Sequence, residues 1–416
     1  MRNRNLGQLW LSSFLLFGLV ANPATAEISP AFRALIEQFL AVHPAAQAAQ
    51  ADLERAEAEA RALGQPLYNP ELEFEYEDAT DVTKSVGVSQ TLDWNGKRRA
   101  RDRASGESMR AASAALAAAR QRLLAELLEK MSRVKVTSDA ARLSRQRVAL
   151  LEEFVALAER RAAAGDIGLS DVDLAHLALS EANMQAATLL SDTAEAESRL
   201  AALFQAPPPT WPLLPVLPLD LSAFDDNALI ERHPELRRAN AEAAAAKANV
   251  DIAQRDSRPD PTLGLHGGQE DDDTLVRLTV SIPLFMRNTY RAEVDAANAD
   301  ALRAEQAYRN KLQRAHGELQ ATAKRYQSTR AALHDWENSG QRRLKGRIAL
   351  LKQLWEAGEI GTTDYLVQLQ QTLDTQVSAA ALHGAVWDAW IHWLSASGQI
   401  ETWLGIETAP VTATKR

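Results

Sequence analysis

The sequence predicts a mainly α-helical protein with a small β portion and an internal duplication. Three observations lead to this prediction. Alanine, glutamate, arginine, glutamine and leucine are abundant, which is typical of long helices. Short stretches alternate between apolar and polar residues, which indicates strands because successive side chains leave a strand on opposite faces. Similar segments also recur at a constant offset of roughly 190 residues, far longer than a solenoid repeat.

Residues 1–26 have the features of a secretory signal peptide. A positively charged start precedes the apolar run from Leu9 to Val20, which is too short to span a bilayer comfortably. The small residues Ala24 and Ala26 then frame a cleavage site. The alternative is a buried N-terminal helix. We predict an exported protein and leave this segment outside the fold.

The composition argues against several classes of protein. The chain has no cysteine, which excludes disulfides, thiolate metal sites and a lipidated N-terminal cysteine. Its net charge of −9 argues against a nucleic-acid partner, which requires a basic face. The eight histidines show no H-x-x-x-H spacing, and neither a nucleophile–base pair nor a phosphate-binding loop is recognisable. We therefore predict no enzyme activity, no cofactor and no metal site.

Two halves of the chain resemble each other in four places. The clearest pair is AGDIGLSD, from Ala164 to Asp171, and AGEIGTTD, from Ala357 to Asp364. This register indicates a duplicated supersecondary unit joined by a proline-rich segment. We divide the chain after the signal peptide into a first repeat (27–204), a connector (205–225), a second repeat (226–404) and a disordered tail (405–416).

Each half is predicted to contain the same elements in the same order. A helix comes first, from Pro30 to Gly64 or from Asp226 to Arg255, and a proline-marked break follows. Two strands around an acidic turn lead into a very long helix. In the first half this helix, Asn95 to Ala163, has about 69 residues and a length of ~100 Å at 1.5 Å per residue. A glycine-containing turn then reverses the chain into another long helix. The alternative, a free-standing coiled coil, does not need the strands.

The first strand has one acidic and one apolar face. The acidic residues are Glu71, Glu73, Glu75 and Glu77, and they alternate with Leu72, Phe74 and Tyr76. Such a strand fits a membrane barrel, and it equally fits a sheet with one face on a soluble core. Four strands cannot close a membrane barrel, whose smallest examples have about eight, and open edges are not tolerated in lipid. Because the predicted chain is exported and its helices are very long, we favour a barrel to which several copies of the chain contribute strands.

This layout resembles the TolC-like outer-membrane efflux family, whose members are trimeric channel-tunnels. The resemblance spans nearly the whole mature chain and rests on the duplicated halves and their paired glycine turns. The stretches NPELEFEYE and VSQTLDWNGKRRARDRAS are similar to the branch that serves heavy-metal and other cation exporters of the resistance-nodulation-division type.

The resemblance implies a homotrimer in the outer membrane of a Gram-negative bacterium. Each chain would give four strands to one twelve-stranded barrel, in contact with outer-membrane lipid, and the long helices would continue as a tunnel across the periplasm. A periplasmic adaptor would link this passive duct to an inner-membrane pump that exports heavy-metal cations or small toxic molecules. Two alternatives stay open: an outer-membrane duct for type I protein secretion or drug efflux, and a soluble periplasmic coiled-coil scaffold.

The resemblance also places the candidate residues. The apolar side chains of the first strand would face lipid, and its four glutamates would face the lumen, where rings of carboxylates concentrate cations. The alternative is that the glutamates only keep the lumen face hydrated. The turns would form a periplasmic tip that contacts the adaptor, and Ser170 or Thr363 can cap the returning helix. The tip residues are Gly165, Asp166, Ile167, Gly168, Ser170, Asp171, Gly358, Glu359, Ile360, Gly361, Thr363 and Asp364, and Asp171 and Asp173 are candidates for an entrance constriction.

Overall fold

The computed structural model describes residues 28–78, 82–219, 221, 226–344 and 346–406. The predicted signal peptide, positions 407–416 of the predicted tail, and parts of the first acidic turn and of the connector lie outside the described residues. Within the described residues, no helix combines the length and the apolar character that a membrane crossing requires.

The first half consists of four helices and one pair of strands. They are α1 Pro30–Val42, α2 Pro44–Leu63, β1 Glu71–Asp78, β2 Val82–Thr91, α3 Lys97–Ala163 and α4 Leu169–Ala201. One expectation was wrong, because the helix predicted from Pro30 to Gly64 is two helices. Pro44 has no N–H to continue the helix of the preceding residues. The extended residue His43 separates α1 from α2, and its Nδ1 accepts a hydrogen bond of 3.2 Å from the Ala45 N–H.

The second half repeats this order with more interruptions. Its elements are α5 Asp226–Arg232, α6 Pro234–Asp256, β3 Thr262–Glu270, β4 Asp273–Ser281, α7 Arg291–Asp335, α8 Gln341–Leu344, α9 Arg347–Glu356, α10 Thr362–Ser397 and α11 Ile400–Trp403. The helix predicted from Asp226 to Arg255 is therefore also divided, in this case before Pro234. A proline after a histidine has the same effect in both halves.

The long helix expected in the second half is interrupted as well. A π-helical turn, Trp336–Gly340, follows α7. The Trp336 ring lies against Gly340, where an added Cβ would be only 2.2 Å from the ring. Gly346 then adopts φ +88°, a conformation that favours glycine, directly before α9. By contrast, α3 runs without a break for 67 residues.

The helices pack around two separate hydrophobic cores. The larger core joins helices of both halves, and its fully buried members include Phe32, Ile36, Phe39, Leu124, Leu127, Leu128, Tyr326, Trp390 and Ile391. The smaller core lies beside the two glycine turns and contains Leu151, Phe154, Leu351, Trp355, Tyr365 and Leu369. The helix α3 contributes to both cores, and because it begins after β2 and ends at the first glycine turn, it connects the sheet end of the molecule to the turn end.

The four strands form one antiparallel sheet in the order β1-β2-β3-β4. The central pair, β2 with β3, joins the two halves of the chain. In the register, Leu72 lies opposite Val88, Val88 opposite Leu265, and Leu265 opposite Leu278. Because opposite residues share a face, the apolar side chains of all four strands lie on the same side of the sheet.

Candidate functional site

The apolar face of the sheet is exposed to solvent in the single chain. The exposed fraction is 74% for Phe74, 67% for Tyr76, 52% for Val88 and 72% for Leu278. An exposed apolar surface that continues across four strands marks a contact with another molecule or with a membrane. This face therefore does not pack on a core formed by the described part of the chain.

The opposite, polar face carries an ion pair that spans the sheet. Arg277 on β4 donates two hydrogen bonds from Nη1 to Glu75 on β1, at 2.9 Å to Oε1 and 2.7 Å to Oε2. Glu75 also accepts a hydrogen bond of 3.0 Å from the Ser85 hydroxyl. A carboxylate with these donors is held in one orientation and its charge is matched by the guanidinium.

Glu73 has a different set of partners on the same face. It accepts a hydrogen bond from the Ser89 hydroxyl, and its Oε2 lies 3.4 Å from Nε2 of His266 on β3. The His266 ring is buried and lies over Gly87, where an added Cβ would be 2.1 Å from Nδ1. Gly87 therefore provides the space that brings this ring against the sheet.

The other two predicted glutamates of β1, Glu71 and Glu77, are exposed. Neither makes an ion pair or a hydrogen bond with another side chain among the described residues. The four glutamates thus share a face of the sheet. Glu73 and Glu75 have side-chain partners on that face, whereas Glu71 and Glu77 have none among the described residues. Sequence reasoning missed the partners, although the alternation of β4 already placed Arg277 on its polar side.

The two glycine turns have matching backbone geometry. Gly165 and Gly358 adopt φ +83° and +77°, which favours glycine, and each follows the last residues of a helix. Gly168 and Gly361 are then the N-caps of α4 and α10. The prediction that Ser170 or Thr363 caps these helices was wrong, because each helix starts two residues earlier than a cap at those positions requires.

The predicted tip residues are mostly exposed. Asp171 lies in the first turn of α4, where its Oδ2 accepts a hydrogen bond of 3.2 Å from the Gly168 N–H. Ile167, Ile360 and Asp171 are half-buried, and the two isoleucines pack against the smaller core. The exposed or partly exposed polar members are Asp166, Ser170, Asp171, Asp173, Glu359, Thr363 and Asp364. A role in adaptor contact or in an entrance constriction stays a prediction for these residues.

An aromatic cluster packs beneath the turns, and sequence reasoning did not identify it. Trp355 lies 4.6 Å from Phe154 between ring centroids, and its Nε1 donates to the Thr362 hydroxyl at 3.3 Å. Arg161 stacks over the Trp355 ring at 4.7 Å and donates to its backbone carbonyl at 2.7 Å. Burial raises the pKa of Tyr365, which also belongs to this cluster, to about 12.

A buried polar cluster lies where the sheet meets the helices. Lys97 Nζ is 3.0 Å from Asp260 Oδ2, and both side chains are less than a tenth exposed. Asn95 and Tyr68 each donate a hydrogen bond of 3.0 Å to the same carboxylate. Burial alone raises the pKa of Asp260, but the hydrogen bonds from these three donors outweigh it and leave this pKa below its usual value. Burial and the bond to Asp260 raise the pKa of Tyr68 to about 12.

The basic run at the start of α3 is compensated by neighbouring carboxylates. Asp93 accepts hydrogen bonds from the backbone N–H groups of Lys97 (2.7 Å) and Arg98 (3.0 Å), which is the role of a helix cap. Arg101 and Arg103 pair with aspartates of α6. Cations at a helix N-terminus are unfavourable, so these partners explain how the run is accommodated.

The described residues contain no group of three or more histidine or acidic side chains that could hold a metal ion. The polar face of the sheet is therefore a lining of charged and hydroxyl side chains. Such a surface can orient water and attract or repel ions electrostatically.

Comparison with known proteins identifies the family to which the chain belongs. The family described as outer membrane efflux protein matches residues 35–204 and 227–399. Protein CyaE of Bordetella pertussis is 28% identical over 281 residues, which are 62% of this chain and 59% of that protein. The cobalt-zinc-cadmium resistance protein CzcC of Cupriavidus metallidurans is 25% identical over 231 residues, 53% of this chain and 55% of that protein. The matches thus span little more than half the length of these relatives.

A solved structure shows the same fold. The outer membrane channel CmeC of Campylobacter jejuni superposes with a TM-score of 0.71 at 16% sequence identity. The superposition covers 95% of this chain and 94% of CmeC. The family match covers most of the chain, in agreement with the resemblance to TolC-like channels. The chain therefore belongs to the outer membrane efflux protein family and is a protein of the outer membrane.

Proposed function

We propose that three copies of this chain form a passive duct through the outer membrane. The exposed apolar face of a sheet with two open edges is the observation that carries this proposal. Backbone groups in hydrocarbon must be paired, and about eight strands are needed for the smallest membrane barrel. Three four-stranded sheets provide twelve strands, with apolar faces toward lipid and polar faces toward an aqueous lumen.

The long helices extend this duct into the periplasm. At 1.5 Å per residue, the 67 residues of α3 span ~100 Å, which is several times the thickness of a bilayer. The two glycine turns form the far end, and their exposed polar residues provide the surface for a periplasmic adaptor. The adaptor connects the duct to an inner-membrane pump, which supplies the energy for transport.

The exported substrates are heavy-metal cations or small toxic molecules. The carboxylates on the polar face of β1 favour cations in the lumen. The similarity to a cobalt-zinc-cadmium resistance protein supports metal cations as the substrate class.

The assembly is tested by membrane insertion and by oligomeric mass. Phe74→Arg puts a charge on the lipid face, where it costs about 2–4 kcal/mol per copy near the bilayer midplane, and trimers should be lost from the membrane fraction. Glu71→Arg introduces the same side chain on the polar face of the same strand and should still give detergent-solubilised trimers. Equal trimer yields for the two variants would contradict the barrel, and so would a wild-type protein that is monomeric without detergent.

The substrate class is tested in cells that lack the gene. We expect greater sensitivity to cobalt, zinc or cadmium, and restoration of resistance by the wild-type chain but not by Phe74→Arg. Unchanged metal tolerance together with loss of a secreted protein would favour the protein-secretion duct instead.

A further inference from the structure

The acidic residues of β1 differ in their electrostatic surroundings. Glu75 is paired with Arg277, whereas Glu71 and Glu77 have no ion-pair partner among the described residues. Arg277 reaches Glu75 from the opposite edge of the sheet, since β1 and β4 are its first and last strands. This contact is therefore not a pairing between adjacent strands, and it fixes an arginine over the middle of the polar face.

Two small residues lie in the same cross-strand row as Glu75. In the register, Glu75 lies opposite Ser85, and Ser85 lies opposite Gly268. A Cβ at Gly268 would be 2.0 Å from the Lys84 carbonyl oxygen and 2.6 Å from the Ser85 Cα. β2 and β3 therefore approach each other closely at this point, and Gly268 adds no side chain to the polar face.

The charges of the four strands make Arg277 unusual. The strands contain one lysine and one arginine, Lys84 and Arg277. Lys84 lies opposite Tyr76 on the apolar face, with its ammonium 6.0 Å from the centre of that ring. Arg277 is thus the single lysine or arginine on the polar face of these strands, and it lies against a carboxylate.

We infer that Arg277 is a selectivity-determining residue of the lumen, because it cancels the charge of Glu75. Cation preference then depends on the remaining glutamates, and a trimer has three neutral Glu75–Arg277 pairs midway along its barrel. This inference rests on the proposed function, since it requires that the polar face lines an ion-conducting pore.

The inference predicts opposite effects of two single substitutions. Arg277→Gln leaves three uncompensated carboxylates per pore and should raise the potassium-to-chloride permeability ratio. Glu75→Gln leaves three uncompensated guanidinium groups and should lower it. A change of one kT in the local potential alters this ratio about sevenfold, so we expect each change to be about twofold or more. The double variant restores a net charge of zero and should return the ratio close to the wild-type value.

The ratio is measured from the reversal potential of purified trimers in planar lipid bilayers under a potassium chloride gradient. Arg277→Lys keeps the charge and serves as the control, with the wild-type ratio expected. An Arg277→Gln ratio equal to that of the wild type, or shifted in the same direction as that of Glu75→Gln, would overturn the inference. Should Arg277→Gln fail to insert, Glu75→Gln decides, and an unchanged ratio refutes the inference. Absence of any wild-type channel would instead count against the proposed duct.

Discussion

The buried ion pair between Lys97 and Asp260 allows a quantitative prediction. Lys97→Met removes the ammonium and retains most of the apolar side chain, so the Asp260 carboxylate stays buried without its charge partner. Removal of one partner from a buried pair destabilises proteins by about 3–5 kcal/mol. Asn95 and Tyr68 still donate hydrogen bonds to this carboxylate. We therefore expect the free energy of unfolding to fall by an amount near the lower limit, about 3 kcal/mol.

The assay is urea unfolding of the detergent-solubilised protein at fixed protein concentration, followed by tryptophan fluorescence. The unfolding midpoint should fall without a change in slope, because the surface exposed on unfolding is unaltered. Arg98→Met makes the same charge change at the exposed neighbouring residue and should shift the free energy of unfolding by less than about 0.5 kcal/mol. If Lys97→Met lowers the free energy of unfolding no more than Arg98→Met does, the stabilising role of the buried ion pair is refuted.

The pH dependence provides an independent check. In the wild type the pKa of Asp260 lies below its usual value, so this group stabilises the fold above about pH 3.9 and the contribution is lost as the pH falls through the folded-state pKa. In Lys97→Met the pKa is no longer held down by the ammonium. The stability difference between the two proteins should therefore shrink as the pH is lowered below about 4.

Two further predictions concern His233 and the glycines of β3. Burial lowers the pKa of His233, whose Nε2 donates to the Ser395 carbonyl at 3.2 Å. The fold favours the neutral form of His233, so the free energy of unfolding is retained above about pH 6.5 and falls as the pH drops toward the folded-state pKa. His233→Gln should make the urea midpoint depend less on pH in this range. Gly268→Ala should reduce the yield of folded trimers on unheated gels, because its Cβ would meet the Lys84 backbone. Gly267→Ala, where the added Cβ meets nothing within 4 Å, should be neutral, and equal yields for the two would contradict the steric reasoning.

Features that depend on local periodicity could be predicted from the sequence. Alternation in β1 assigned Glu73 and Phe74 to opposite faces, and the structure confirms this division. The continuous α3 followed from its composition. The break at His43 had a visible signal in the following proline, although the prediction placed a single helix across both residues.

Contacts between distant segments could not be predicted in the same way. The Arg277–Glu75 pair joins residues more than 200 positions apart, on the first and last strands of the sheet. Asp260 belongs to the sequence RPDP, which reads as a simple break between elements. Only the fold brings Lys97 and Tyr68 to this carboxylate, so a single sequence contains no local indication of the cluster.

The charges on the two outer strands also govern how one copy can meet another. β1 carries four glutamates and Asp78 at one margin of the sheet, and β4, which carries a single aspartate, forms the other margin. Self-pairing of two β1 strands would set carboxylates against carboxylates, which is destabilising. Joining β1 of one copy to β4 of the next reduces this repulsion and is a head-to-tail contact, and such contacts generate rings where the rotation closes. The acidic strand therefore disfavours symmetric dimers through β1 and, in the ring that we propose, leaves this strand free to pair with a neighbouring copy.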